Sequence, residues 1–500
     1  MRGPRGASPA VMRTRTGAWP PLALAVFLAT VPAPATAQAM RGWVGTTVQV
    51  VELRPFGQDT IPRSSVVQGA DGDYLFEGRP VSCWLGDFCT GYVALDEDRL
   101  VAATQDVSLT AWGLGMEGLS VSTLLRFREH AGSDLLWPRS DDAFDAILGY
   151  AQLLRGPLRF RLGRQEVRSG LGFPAFDGGS VAYTSGRTEV EGYGGRSLAR
   201  GLREPANDAL RGIEDFLVDE SAFLLGASLR TRLTGAVFTA RYHREMLSDR
   251  SSLVGERGSL DFTTAVTGVR VNGSVDYDFA FDRLGKSHLT VGLPLEGGRV
   301  LVEASARRYV PYFQLNTIWG FFEPVSYSEV EVRGSWSPGT MLGAWASVGR
   351  RSYDDTEAQS LLGPPADTGW RTSLGTRWQL RPQLTVDGSY RLEWGPGAFL
   401  SSGDVAVRYA AWDRLALSVT GTSFQQVEEF RVGDGRAWGG GFSFDLAVTD
   451  RVDFAGGMSV LRHRDGGSVF TSPWNQTRGW TSLRLAVGDD PGLANRRRGR

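Results

Sequence analysis

The chain has 500 residues, 42% of them apolar and 22% charged, with a formal net charge of −1. That is too apolar for a disordered chain, and the 64 glycines follow no Gly-X-Y period, which excludes collagen. Four His and two Cys leave little material for a zinc or iron–sulfur centre.

Length alone suggests two or three globular domains; the pattern along the chain argues for one. Residues 1–39 read as an export signal. Arg2, Arg5, Arg13 and Arg15 form a basic start without acids, Leu22–Thr30 is an apolar core too short to span a bilayer, and Ala35 and Ala37, or alternatively Ala37 and Ala39, fit small-residue cleavage. Removing this segment takes away four Arg and no acid, leaving a net charge of about −5. No other stretch approaches the ~18 uninterrupted apolar residues of a membrane helix. A basic leader and small apolar residues suggest a Gram-negative bacterial protein. Cys83 and Cys89 are close in sequence with no His nearby, so in an oxidising compartment they are expected to form a disulfide rather than a metal site.

From Trp43 onward the apolar period is two. In 370–379 one face is Trp370, Thr372, Leu374, Thr376 and Trp378, and the other is Arg371, Ser373, Gly375, Arg377 and Gln379. In 384–394 the apolar face is Leu384, Val386, Gly388, Tyr390, Leu392 and Trp394, against Thr385, Asp387, Ser389, Arg391 and Glu393. Val275, Tyr277, Phe279 and Phe281 oppose Asp276 and Asp278, and Leu158, Phe160 and Leu162 oppose Arg159 and Arg161. Successive strand residues point to opposite faces, so each strand has one greasy and one polar side. The runs are about 9–12 residues long, the length of a transmembrane strand rather than of an average soluble one.

Tight turns are predicted at 116–118, Gly156-Pro157, Ser185-Gly186, Leu233-Thr234, Asn272-Gly273, Gly297-Gly298, 337–339, Arg381-Pro382, Asp413-Arg414 and Asp450-Arg451. Between them fall longer polar connections at 55–103, 131–144, 169–178, 199–221, 247–259, 309–324, 351–369, 395–401, 425–436 and 463–477, with one short exception at Arg283–Lys286. Alternating short and long connections are the signature of a transmembrane antiparallel up-and-down β-barrel, with short periplasmic turns and longer extracellular loops. Counting gives about 22 strands, within a range of about 18–22, from Trp43–Arg54 to Arg478–Val487. Trp370 and Trp378 are spaced to reach the two aromatic girdles of such a wall, and Trp336, Trp394, Trp412, Trp438 and Trp480 also fall near strand ends, whereas Trp345 does not. Pro205–Asp219 within 199–221 has the pattern of a short helix. The expected organisation is a leader at 1–39, a barrel over 40–488 and a polar tail at 489–500.

Catalytic motifs are scarce. Gly113, Gly115 and Gly118 match GxGxxG, but a strand-like alternation follows instead of a helix, so the match reads as a turn. His243 lies on a polar face with Arg241 and Glu245, without a Ser singled out to pair with it, so a wall position is expected rather than catalysis. No enzymatic activity, cofactor, metal or nucleic-acid partner is expected. The polar faces hold Arg159, Arg161, Arg241, Asp276, Asp278, Arg307, Glu331, Arg333, Arg371, Arg377, Asp387, Arg391 and Glu393, which are expected to line the lumen. Both signs are present, so ion preference stays open; so does the alternative that these charges pair and only brace the wall.

Leu162-Gly163-Arg164-Gln165-Glu166, followed after a loop by Phe176-Asp177-Gly178, resembles the alginate-export-type outer-membrane porins. The resemblance implies a barrel of about 18 strands with an arginine-rich, anion-conducting lumen. The count of about 22 and a C-terminus without a terminal aromatic strand depart from it. The sequence therefore points to a channel for small polar or charged solutes in the outer membrane, in contact with outer-membrane lipid, with 55–103 and 199–221 as candidate constrictions. The alternatives are a closed barrel serving adhesion or assembly, and a secreted soluble β-protein binding carbohydrate.

Overall fold

A computed structural model describes residues 39–488 except 54–55, 70–73, 77–78, 84–85, 95–97, 133–142, 168–170, 172–174, 199–221, 248–252, 311–325, 355–367, 396–397, 428–434 and 466–473. The expected leader (apart from Ala39), the Pro205–Asp219 helix and the tail at 489–500 lie outside the described residues. The period-two alternation becomes strands of 9–15 residues. Twenty-two of them, from Ala39–Leu53 to Trp474–Gly488, form one antiparallel sheet in which each strand pairs with its neighbour in sequence. The sheet closes because Ala39–Leu53 pairs with both Asp98–Trp112 and Trp474–Gly488. Closure leaves no edge strand. Following direct cross-strand partners once round returns to the first strand displaced by about 24 residues, a stagger that implies strands tilted by roughly 40° and a backbone diameter of about 40 Å. The wall has 22 strands, not the 18 that the alginate-type resemblance implies.

Three connections differ from the sequence reading. The turn expected at Asn272-Gly273 forms instead at Thr267-Gly268, where both residues have positive φ (49° and 86°). This is the two-residue hairpin geometry whose twist matches the flanking strands. Gly273 lies inside the strand Val269–Asp278, and a Cβ there would sit 2.3 Å from the Phe262 ring: the glycine is a seat for an aromatic, not a turn. The short outer connection falls at 279–282 rather than Arg283–Lys286, because Asp278 accepts hydrogen bonds from the N–H groups of Ala280 and Phe281 (3.1 and 3.3 Å) and turns the chain there. Strand Leu253–Val266 takes up most of what read as a connection at 247–259.

The expected loop 55–103 is largely folded. Leu53 pairs with Asp98, and the same ribbon resumes with Phe56 opposite Ala94 and runs to Pro62 opposite Phe88, past the last wall pairings. Strands Phe56–Pro62, Val67–Gln68, Tyr74–Phe76, Arg79–Cys83 and Phe88–Ala94 make a separate five-stranded sheet. Cys83 and Cys89 are direct cross-strand partners joined by a disulfide, and Cys89 and its other cross-strand partner Ile61 are fully buried.

Apolar burial against the wall concentrates in one sector. Phe176, Tyr193 and Leu224 cluster there, with Phe176 stacked on Tyr193 at 5.6 Å. Tyr193 lies over Gly226, where a Cβ would come 2.1 Å from the ring. Gly226→Val is therefore expected to push Tyr193 off Phe176 and cost about 1–3 kcal/mol by overpacking. Urea titration in detergent or lipid would read this as a lower unfolding midpoint; an unchanged midpoint would show that the ring does not need its glycine seat.

Candidate functional site: the two faces of the wall

Alternation sorts the wall into two chemically distinct faces. One carries Leu162 (72% exposed), Val181, Leu225, Val330, Leu374, Val405, Val419, Phe442, Met458 and Leu483, all exposed large apolar side chains. Trp370, Trp378, Trp336, Trp394, Trp412 and Trp438 are exposed too, as expected of girdle positions. Trp480 is a correction. It stands on the other face with Arg478, Ser482 and Arg484, opposite Gly457, whose missing side chain leaves room for the indole. Trp345 lies flat on Gly375, on the polar face, with the Arg333 guanidinium 4.3 Å from its ring centroid.

The polar face is a belt of cross-strand ion pairs. Arg159 reaches Glu189 and Glu191 (3.3 and 3.5 Å). Arg161 donates to Gln152 (2.8 Å) and lies over Tyr150. Arg241 pairs with Asp261, and Asp276 accepts from Arg257 at 2.6 Å. Arg377 pairs with Asp387 at 2.6 Å. Beside that pair lies a recess of about 710 Å³ bounded by Trp345, Asp404 and Thr422. Asp278 is taken up by its turn. Arg391 is exposed, opposite Ser373 and Ser402, and has no ion-pair partner among the described residues.

The densest group centres on Glu329, whose side chain is 2% exposed. Arg307 Nη2 donates to both of its oxygens at 2.8 Å, Arg351 Nε donates to one, and Arg371 Nη1 stands 3.9 Å away. Arg351 also donates to Glu393, which Arg371 approaches at 4.0 Å. Glu331 and Arg333 follow Glu329 on the same face of the strand Tyr327–Trp336. Beyond the group, at the strand ends away from the short turns, Tyr309, Tyr327 and Tyr353 are direct cross-strand partners, the first two rings stacked at 5.3 Å and the last two tilted at 5.7 Å between centroids. Arg351 lies over the middle ring at 4.7 Å and Lys286 over the first at 5.3 Å.

Sequence reading thus found Arg307, Arg371 and Glu393 but missed the residues that bind them together, Glu329 and Arg351, as well as Arg257. Arg257 and Arg351 fell in segments read as connections, because strand ends beyond the apolar band are polar on both faces and lose the alternation. Glu329 was findable: it is in step with Glu331 and Arg333. His243 faces Gly226 and Arg257 across its two strand pairings, and its Nδ1 has no hydrogen-bond partner. No cluster of His, Cys, Asp or Glu suited to a metal occurs among the described residues.

No helix among the described residues is long and apolar enough to cross a membrane. A closed sheet satisfies all its backbone groups internally, and with one apolar face it crosses a bilayer by strands instead. The chain is a transmembrane β-barrel. No family model matches this barrel, and no curated protein matches it. Among solved structures it is similar to a BenF-like porin from Pseudomonas fluorescens, at 11% identity over 90% of this chain and 99% of that one, with a TM-score of 0.40. It is also similar to OccK9 from Pseudomonas aeruginosa (10% identity, 91% and 100% covered, TM-score 0.39) and to the siderophore receptor PirA from Pseudomonas aeruginosa (14% identity, 89% and 80% covered, TM-score 0.46). Likeness at this level adds nothing to the barrel that the strand register already establishes.

Proposed function

We propose that the barrel is a passive channel for small polar or charged solutes, with its polar face lining the lumen and its apolar face against outer-membrane lipid. In this reading residues 1–39 are removed on export, 40–488 form the barrel and 489–500 are a polar tail. The observation that carries it is the division of one closed wall into an apolar face and a face of arginine–carboxylate pairs. A lumen about 40 Å across between backbones is far too wide for wall side chains to fill, so charged groups on its inner face meet water and passing ions. A soluble carbohydrate-binding protein would have to cover that apolar belt with something else. The folded sheet at 56–94 is the observation that favours the adhesion or assembly reading, since a rim device of that kind suits a partner rather than a solute.

Planar-bilayer recording separates the two. The purified, folded protein is expected to give discrete ion-conducting steps. Protein that is folded, inserted and consistently silent would leave the closed-barrel reading standing.

A further inference from the structure

Several arginines at the outer rim of the apolar face have a carboxylate beside them, while Arg350 lies singly over the Trp370 ring at 5.8 Å. Arg164 pairs with Asp177 at 2.8 Å, Arg308 with Asp354 at 2.5 Å, and Arg99 with Glu52. Strands Gly435–Ala447 and Val452–Asp465 instead group three such arginines together. Arg436 and Arg464 are direct cross-strand partners, and Trp438 and Arg462 form the next outward-facing pair. All three arginines are exposed, and no carboxylate lies within ion-pair distance of them among the described residues. Arg436 donates to Gln425 at 3.1 Å, a neutral partner. Arg462 lies over the Trp438 ring at 5.4 Å.

Like charges placed directly opposite each other destabilise a strand pair. Two facing arginines with a third on the adjacent diagonal therefore form a site that is short of negative charge. Its position says what can supply it. Trp438 is 41% exposed, and further along the same face come Val460 and then the exposed pair Phe442 and Met458. The arginines sit one step beyond the girdle, where acyl chains give way to headgroups. Guanidinium forks match phosphate oxygens in pairs, and a tryptophan beneath them suits the boundary between sugar or glycerol and hydrocarbon.

We propose that Arg436, Arg462 and Arg464 bind the phosphate of an anionic glycolipid headgroup in the outer leaflet, with its acyl chains running along Phe442 and Met458. The proposal rests on the membrane reading of the apolar face. It is tested with the full-length protein in nanodiscs of zwitterionic phospholipid, doped with a phosphorylated outer-leaflet glycolipid or with its dephosphorylated form. Native mass spectrometry then reads the lipid retained by the barrel.

The wild type is expected to retain the phosphorylated form and release the dephosphorylated one. The triple variant Arg436→Gln, Arg462→Gln, Arg464→Gln should retain it at least about tenfold more weakly, while Arg308→Gln, at a rim arginine that already has its own carboxylate, should behave as wild type. Equal retention by the triple variant, or equal retention of the dephosphorylated lipid, would overturn the site. Displacement by inorganic phosphate at millimolar concentration would reassign it to soluble anions and overturn it as a lipid site. Heat-modifiable migration of each variant on gels checks folding. Extraction of the wild type by carbonate would sink the membrane reading itself, and that outcome is distinct from failure of the site in a protein that stays embedded.

Discussion

Replacing Glu329 with Leu is expected to destabilise the barrel by about 3–5 kcal/mol, the usual cost of removing one partner from a buried ion pair. The carboxylate is enclosed by Arg307, Arg351 and Arg371, and the Arg351 side chain is itself only 12% exposed. Without Glu329, three guanidinium groups crowd one another, with Glu393 as the remaining counter-charge near Arg351 and Arg371. The double variant Glu329→Leu, Arg351→Leu is expected to lose less than the single one, because it removes charge of both signs from the same spot. Urea unfolding from lipid vesicles measures both. A single variant that unfolds at the wild-type urea concentration would mean that water already screens these arginines and that the group braces nothing.

Reversing Arg371, Arg377 and Arg391 to Glu should move the reversal potential under a salt gradient toward cation preference. The three positions pass from positive to negative on a face proposed to touch the permeating ions. Their contributions should differ. Arg377 is 71% exposed but has Asp387 at 2.6 Å, and Arg371 belongs to the Glu329 group. Arg391 has no ion-pair partner among the described residues, so Arg391→Glu alone should carry the largest share. The shift should shrink as ionic strength rises, since screening at 1 M acts within about 3 Å. Unchanged selectivity in the triple variant would take these side chains off the conduction path.

Much of the fold was legible because a membrane wall imposes a strict rule. Within the apolar band successive residues belong in turn to the apolar and the polar face, so the alternation in 370–379 and 384–394 gave those strands and their two faces directly. The rule lapses beyond the band. There Arg257 and Arg351 were read as connections, and the ribbon that runs on to Pro62 was read as a loop. Glycine was ambiguous for another reason. Gly268 and Gly273 are identical in sequence terms, but one has the positive φ that a tight turn needs and the other clears space for Phe262. Local sequence does not say which ring lies across a strand. The candidate site was half legible: the arginines stood out, while the carboxylates that bind them depend on which residues the register places opposite.

The first strand is also the last to be completed. Ala39–Leu53 takes Asp98–Trp112 on one side, but its other side waits for Trp474–Gly488, and Thr47 donates to Ser482 at 3.1 Å across a sequence separation of 435 residues. Until that final strand arrives, the growing sheet has two open sides along which any other strand could add. Contacts so distant in sequence form slowly. The assembling chain is therefore exposed to mispairing until the seam shuts. Loss of the C-terminal strand alone would leave a long ribbon with both sides unpaired, prone to join other copies instead of closing on itself.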